Sequence, residues 1–265
     1  MIFIATEFFK LTHNRTARAI FWAMVLTPIT IISIVWRLGT PYAQFFGVLQ
    51  VIGGSLLLLL GLTALLLTAS AVGDEYEQKT VRTVIGRGIP RWFFLVGKGV
   101  AIWCLTLFNG LTLWFVGSLM AIMAHWDTVG VASFRLGIFA LLTSGLDAVL
   151  LTMLAVAVYI GIGTLLAVLT RSTAFTLFGG LGFFFFDFYL QAINETNTSL
   201  SILGNTAILF SQLTFPFIPA DIIVTNEGAG TLLTTSPSAA ILILLTYTLI
   251  TFTLAIALFR RQELT

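Results

Sequence analysis

The sequence predicts an all-α polytopic membrane protein. It has six transmembrane helices, an amphipathic interfacial helix at the N-terminus, and short helices or a re-entrant segment before the last span. Three observations carry this prediction. Charged residues make up 9% of the 265-residue chain, against about 25% in a soluble domain. Hydrophobic residues reach 58% and mean hydropathy is +1.04, more apolar surface than a water-soluble fold of this length can hide. Apolar runs also recur along the chain, six of them near the roughly 20 residues that a helix needs to cross hydrocarbon.

The first residues, 1–15, read MIFIATEFFKLTHNR. Apolar Ile2, Phe3 and Phe9 followed by basic residues suit a helix lying on the inner leaflet. The spans then fall at about 19–36, 45–72, 92–123, 144–169, 172–190 and 239–259. The second and third exceed what a bilayer requires and should tilt or extend beyond it. Between the last two, residues 191–237 form an outer segment. Its apolar stretch 200–217 is interrupted by Asn205, Gln212 and Pro216, so it reads as short helices or a re-entrant piece rather than a span. No soluble domain, linker or internal repeat stands out, and 1–265 reads as one transmembrane domain.

Basic residues orient the spans. Lys10, Arg15, Arg18, Lys79, Arg82, Arg87, Arg91, Lys98, Arg171, Arg260 and Arg261 fall on one side of a six-span arrangement, and only Arg37 and Arg135 on the other. The positive-inside rule then puts both termini in the cytoplasm.

Composition also narrows function. A net charge of +2 gives no electrostatic footprint for nucleic acid. One cysteine, Cys104, excludes an internal disulfide, and two distant histidines argue against haem or multi-metal redox chemistry. No nucleophile–base set, carboxylate pair or metal cluster converges in sequence, so catalytic, cofactor and metal residues are expected to be absent. Asp147 and Asp187 are the acids nearest the spans. A relay is their sharp functional reading, and an interfacial or water-facing position near the outer ends of spans four and five is the cheaper one.

Eight of the 24 charged residues lie between Asp74 and Lys98. Within this loop, 73–91, Glu75 and Lys79 stand four apart in the favourable order for a helical pair. Val81 and Ile85 share another face. Gly86, Gly88 and Pro90 break the helix and shape the joint. Arg91 and Trp92 suit the membrane boundary. A short polar helix, a hinge and re-entry make an element that can dock on a soluble partner.

The acid-rich start, the Lys-Thr-Val-Arg-Thr stretch, Gly-Ile-Pro-Arg, and Gly-Lys entering a helix resemble the membrane subunit of ABC-2-type ABC transporters. The matching residues are Glu75, Glu77, Thr80, Arg82, Pro90, Arg91 and Lys98. The family usually has glycine before the threonine, where this chain has Lys79. The N-terminus, the spans, the outer segment and the basic end FRRQEL extend the resemblance over nearly the whole chain. It implies an ATP-driven permease, more often an exporter, in a bacterial or archaeal inner membrane. It also implies a second permease subunit, identical or related, and separate ATP-binding subunits that carry the ATP and Mg. Asp74, Glu75, Glu77, Lys79, Thr80, Arg82, Thr83, Arg87 and Arg91 would contact such a subunit.

A phosphate loop in this chain itself is not expected. Gly97-Lys98 is followed by Gly99, and Trp92 stands where the motif needs its first glycine. Two other readings fit the composition: a scaffolding membrane subunit that anchors a soluble protein by the same loop, and a secondary transporter using Asp147 or Asp187.

Overall fold

The computed structural model describes residues 2–35, 56, 58–86, 88–124, 131–193, 201–209 and 237–262. Among these the regular structure is helical, with no strand. Helix α1 spans Ile2–His13 and α2 spans Arg15–Val35. Asn14 joins them, its Oδ1 accepting the Thr16 N–H at 3.0 Å as a cap does. Helix α3, Leu58–Glu77, contains a π-helical turn at Ala69–Gly73. Then come α4, Thr80–Gly86; α5, Arg91–Ala124; and α6, Val131–Thr170. Helices α7, Thr173–Ile193, α8, Ile202–Leu209, and α9, Pro237–Arg261, complete the described chain.

Five helices, α3, α5, α6, α7 and α9, are long and apolar enough to cross a membrane among the described residues. The chain is therefore a multi-pass membrane protein. Helix α2 is 21 residues long, about 30 Å at 1.5 Å per residue, and stands outside those five. The sequence places the fourth span's start at Ser144, but the helix begins at Val131. Nothing limits a helix to the thickness of hydrocarbon, and its first turns can run beyond the apolar window. The start of the second expected span, 45–55, the loop residue Arg87, and most of the outer segment, 194–200 and 210–236, lie outside the described residues.

The main core joins Leu60 and Ala64 of α3, Ile102 of α5, and Val156 and Tyr159 of α6. Glycines set how closely the helices pack. A Cβ on Gly163 would come 3.0 Å from Thr68, and Gly161 lies tight against Thr251 of α9. At Gly73 the clash would be with backbone, 2.8 Å from Thr173 Cα, so the π turn of α3 meets the first residue of α7 with no room for a side chain.

A second apolar cluster sits at the loop end of the bundle. It joins Val72 of α3, Val81 of α4, Phe94 and Leu95 of α5, Ala167 and Val168 of α6, and Phe259 of α9. This cluster fixes the charged loop to the helices that flank it.

Candidate functional site

Helix α4 is amphipathic over its seven residues. Val81 is buried, Val84 and Ile85 pack against the second cluster, and Arg82, Thr83 and Gly86 face outward. The helix starts after a sharp stop. Gln78 N–H donates to Asp74 O at 2.8 Å, Lys79 N–H donates to Tyr76 O at 3.1 Å, and Lys79 takes φ 57°. A left-handed φ favours glycine, which accounts for the glycine usual there in the family the loop resembles. It also corrects the expected Glu75–Lys79 pair. The helix ends at that point, Lys79 points into solvent, and Glu75 turns inward. Gly88, at φ 84°, makes the second reversal, and Pro90 O accepts the Phe93 and Phe94 N–H groups to open α5.

The acids of the loop are used inside the chain. Lys98 of α5 is 1% exposed, and its ammonium donates to Glu7 Oε2 at 2.7 Å, Glu75 Oε1 at 2.9 Å and Ala71 O at 2.9 Å. Lys10 of α1 reaches the same Glu75 Oε1 at 2.5 Å. Partial burial pulls the Lys10 pKa down, but the hydrogen bond and charge of Glu75 outweigh it and the net shift is upward. Two carboxylates and two ammonium groups thus close a neutral clasp joining α1, α3 and α5. Glu75, expected to touch a partner, is 4% exposed and turned inward to Lys98 and Lys10.

The other acids bind α7. Glu77 Oε1 accepts the Thr173 N–H at 2.7 Å and the Ser172 hydroxyl at 3.0 Å, and Asp74 Oδ1 accepts the Thr173 hydroxyl at 2.8 Å. An exposed carboxylate from one helix therefore caps the positive end of another. Arg91 is also engaged. Its Nη1 donates to the carbonyls of Arg260 at 3.1 Å and Gln262 at 2.9 Å, closing the C-terminal end of α9. Gln262 Nε2 in turn donates to Val168 O at 2.6 Å. Thr80 Oγ1 donates to Glu75 O at 3.3 Å.

Of the nine residues expected to meet a partner, Lys79, Arg82 and Thr83 are exposed and make no side-chain hydrogen bond or ion pair among the described residues. The outward face is thus basic, and the acid half of the loop is its anchor. Sequence reasoning missed Glu7, Lys10 and Gln262, and it placed Lys98 in the loop motif without a role. One signal was present for Glu7: it falls in the helical stripe Phe3–Glu7–Leu11, where an acid at an apolar position demands a buried partner.

Near the far end of α7, Asp187 is 2% exposed, so it is buried in protein and does not face water. It accepts the Tyr159 hydroxyl at 2.8 Å and the N–H groups of Ile202 at 2.9 Å and Leu203 at 3.0 Å. Ser201 Oγ accepts the Gly204 N–H at 2.9 Å. The first N–H groups of α8 are therefore all satisfied inside protein, as an apolar setting requires. This geometry makes Asp187 a cap. Asp147 is exposed and takes no part in it, and the Arg135 side chain lies outside the described residues.

A family model described as ABC-2 family transporter protein matches residues 3–186. That covers well over half of the chain and includes α1, the clasp, the loop and Asp147. The chain belongs to this family: it is the membrane permease component of an ABC transporter and is not itself catalytic. Family membership implies association with an ATP-binding subunit in general. A search of curated proteins gives no match.

Proposed function

We propose that the chain is one half of the translocation pathway of an ABC exporter. Two such chains, identical or related, would pair, and two ATP-binding subunits carrying ATP and Mg would grip their loops. On this reading α2 is the sixth span, both termini are cytoplasmic, α1 lies at the inner leaflet of a bacterial or archaeal plasma membrane, and 202–209 belongs to the outer face. The observation that carries the reading is the construction of α4. Its inner face is set in a core cluster, the loop's acids tie it to α1, α5 and α7, and Lys79, Arg82 and Thr83 stand free.

A short element fixed in this way transmits force. Closure of two ATP-binding subunits would push α4, and the clasp and the Glu77 cap would carry the push to α1, α5 and α7 together. The basic outer face calls for an acidic groove on the partner. The test is a mild-detergent pull-down from the native membrane. A soluble nucleotide-binding protein should come down in fixed ratio. It should be lost from a Lys79→Glu/Arg82→Glu variant whose thermal stability is unchanged. Recovery of other integral subunits and no ATPase would favour the scaffolding role instead.

A further inference from the structure

A pocket of about 370 Å³ opens between α1, α2 and α5, away from the loop. That volume falls in the range of small-molecule sites, about 300–1,000 Å³. Its walls are Phe8 of α1, Phe21 of α2, and Leu105 and Phe108 of α5, with three polar side chains among them, Thr12, Arg18 and Asn109. Asn109 is 1% exposed, and among the described residues neither its Oδ1 nor its Nδ2 has a hydrogen-bond partner. A buried amide with both its donor and its acceptor idle is costly in apolar surroundings. Arg18 is exposed, and no carboxylate pairs with it among the described residues.

The apolar walls continue outward. Phe21 and Phe108 stack with ring centroids 6.1 Å apart, Phe108 is 53% exposed, and Trp22 beside Phe21 is exposed as well. A hydrocarbon chain could slide in from the bilayer without crossing water. The set of groups is that of a lipid site: a cation near the start of a helix, a buried amide, and aromatic and aliphatic walls.

We propose that this pocket holds one anionic glycerophospholipid of the leaflet nearest the chain termini. The phosphate would sit on Arg18. Asn109 Nδ2 would donate to an ester carbonyl and Oδ1 would accept from a headgroup or glycerol hydroxyl. One acyl chain would lie along Phe21 and Phe108. The site joins α1 to α2 and α5 and does not depend on which soluble subunits the chain binds.

Thermal unfolding of the delipidated full chain in detergent tests this, with dioleoylphosphatidylglycerol, dioleoylphosphatidylcholine or glycerol 3-phosphate added. The anionic lipid should raise the Tm at a lower concentration than the zwitterionic one, and glycerol 3-phosphate should do nothing. Arg18→Gln should weaken the anionic lipid's effect about tenfold, the loss of one charge-assisted contact, and erase the preference over the zwitterionic lipid. Asn109→Leu removes an unpaired amide. Without lipid it should be at least as stable as the native chain, yet lose most of the lipid-induced rise. Equal response to both lipids, retained preference in Arg18→Gln, or a full lipid response in Asn109→Leu would overturn the proposal. A rise with glycerol 3-phosphate alone would make it a free-phosphate site instead.

Discussion

Replacing Lys98 by methionine lowers the stability of the folded chain by about 3–5 kcal/mol, the usual cost of leaving buried charges without their partner. Glu7 and Glu75 would then share a largely buried site, with only Lys10 at its rim. The loss should appear as a drop in thermal stability in detergent and as fast hydrogen exchange over α1. The triple variant Glu7→Gln/Glu75→Gln/Lys98→Met should recover most of it, because removing every buried charge and leaving only the exposed Lys10 removes the desolvation problem as well. A single Lys98→Met change with little effect would mean that the clasp does not hold α1 to α3 and α5. If the clasp transmits force from the loop, the stable triple variant should still bind an ATP-binding subunit while transporting less per ATP.

Asp187→Ala is expected to cost about 3 kcal/mol or more. It leaves the Tyr159 hydroxyl and the N–H groups of Ile202 and Leu203 unpaired in protein interior, at about 1–3 kcal/mol for each group. Asp187→Asn keeps one acceptor and should cost less. Hydrogen exchange over residues 202–209 reads the local effect. The pair also separates the two readings of this acid. A cap tolerates asparagine with ATP-driven transport intact, whereas a relay would lose transport on losing the ionisable group.

The helical bundle was readable because membrane insertion writes itself into hydropathy. The loop was readable as an element, since Gly86, Gly88 and Pro90 mark its end and Val81 and Ile85 its inner face. Its charges were not readable. Sequence spacing favours Glu75 with Lys79, four apart, but the chain reverses at Lys79, and Glu75 finds Lys98 and Lys10 instead. Helical pair rules hold only while the helix continues. Lys98 and Glu7 are 91 positions apart, and only the packing of α1 along α5 brings them together. Gly97 beside Lys98 shows how: a Cβ there would stand 2.8 Å from Phe3 of α1. The partners of Asp187 were hidden for a similar reason. They lie on α6 and α8, and its role is set by an N-terminus that hydropathy does not show.

Site-directed photo-crosslinking tests the central claim, that the outer face of α4 is where the ATP-binding subunit docks. A photoreactive residue at position 83, on that face, should label a nucleotide-binding protein in native membranes. The same residue at position 189, exposed toward the far end of α7, should not. Equal labelling from both positions, or no nucleotide-binding protein labelled from position 83, would contradict the account.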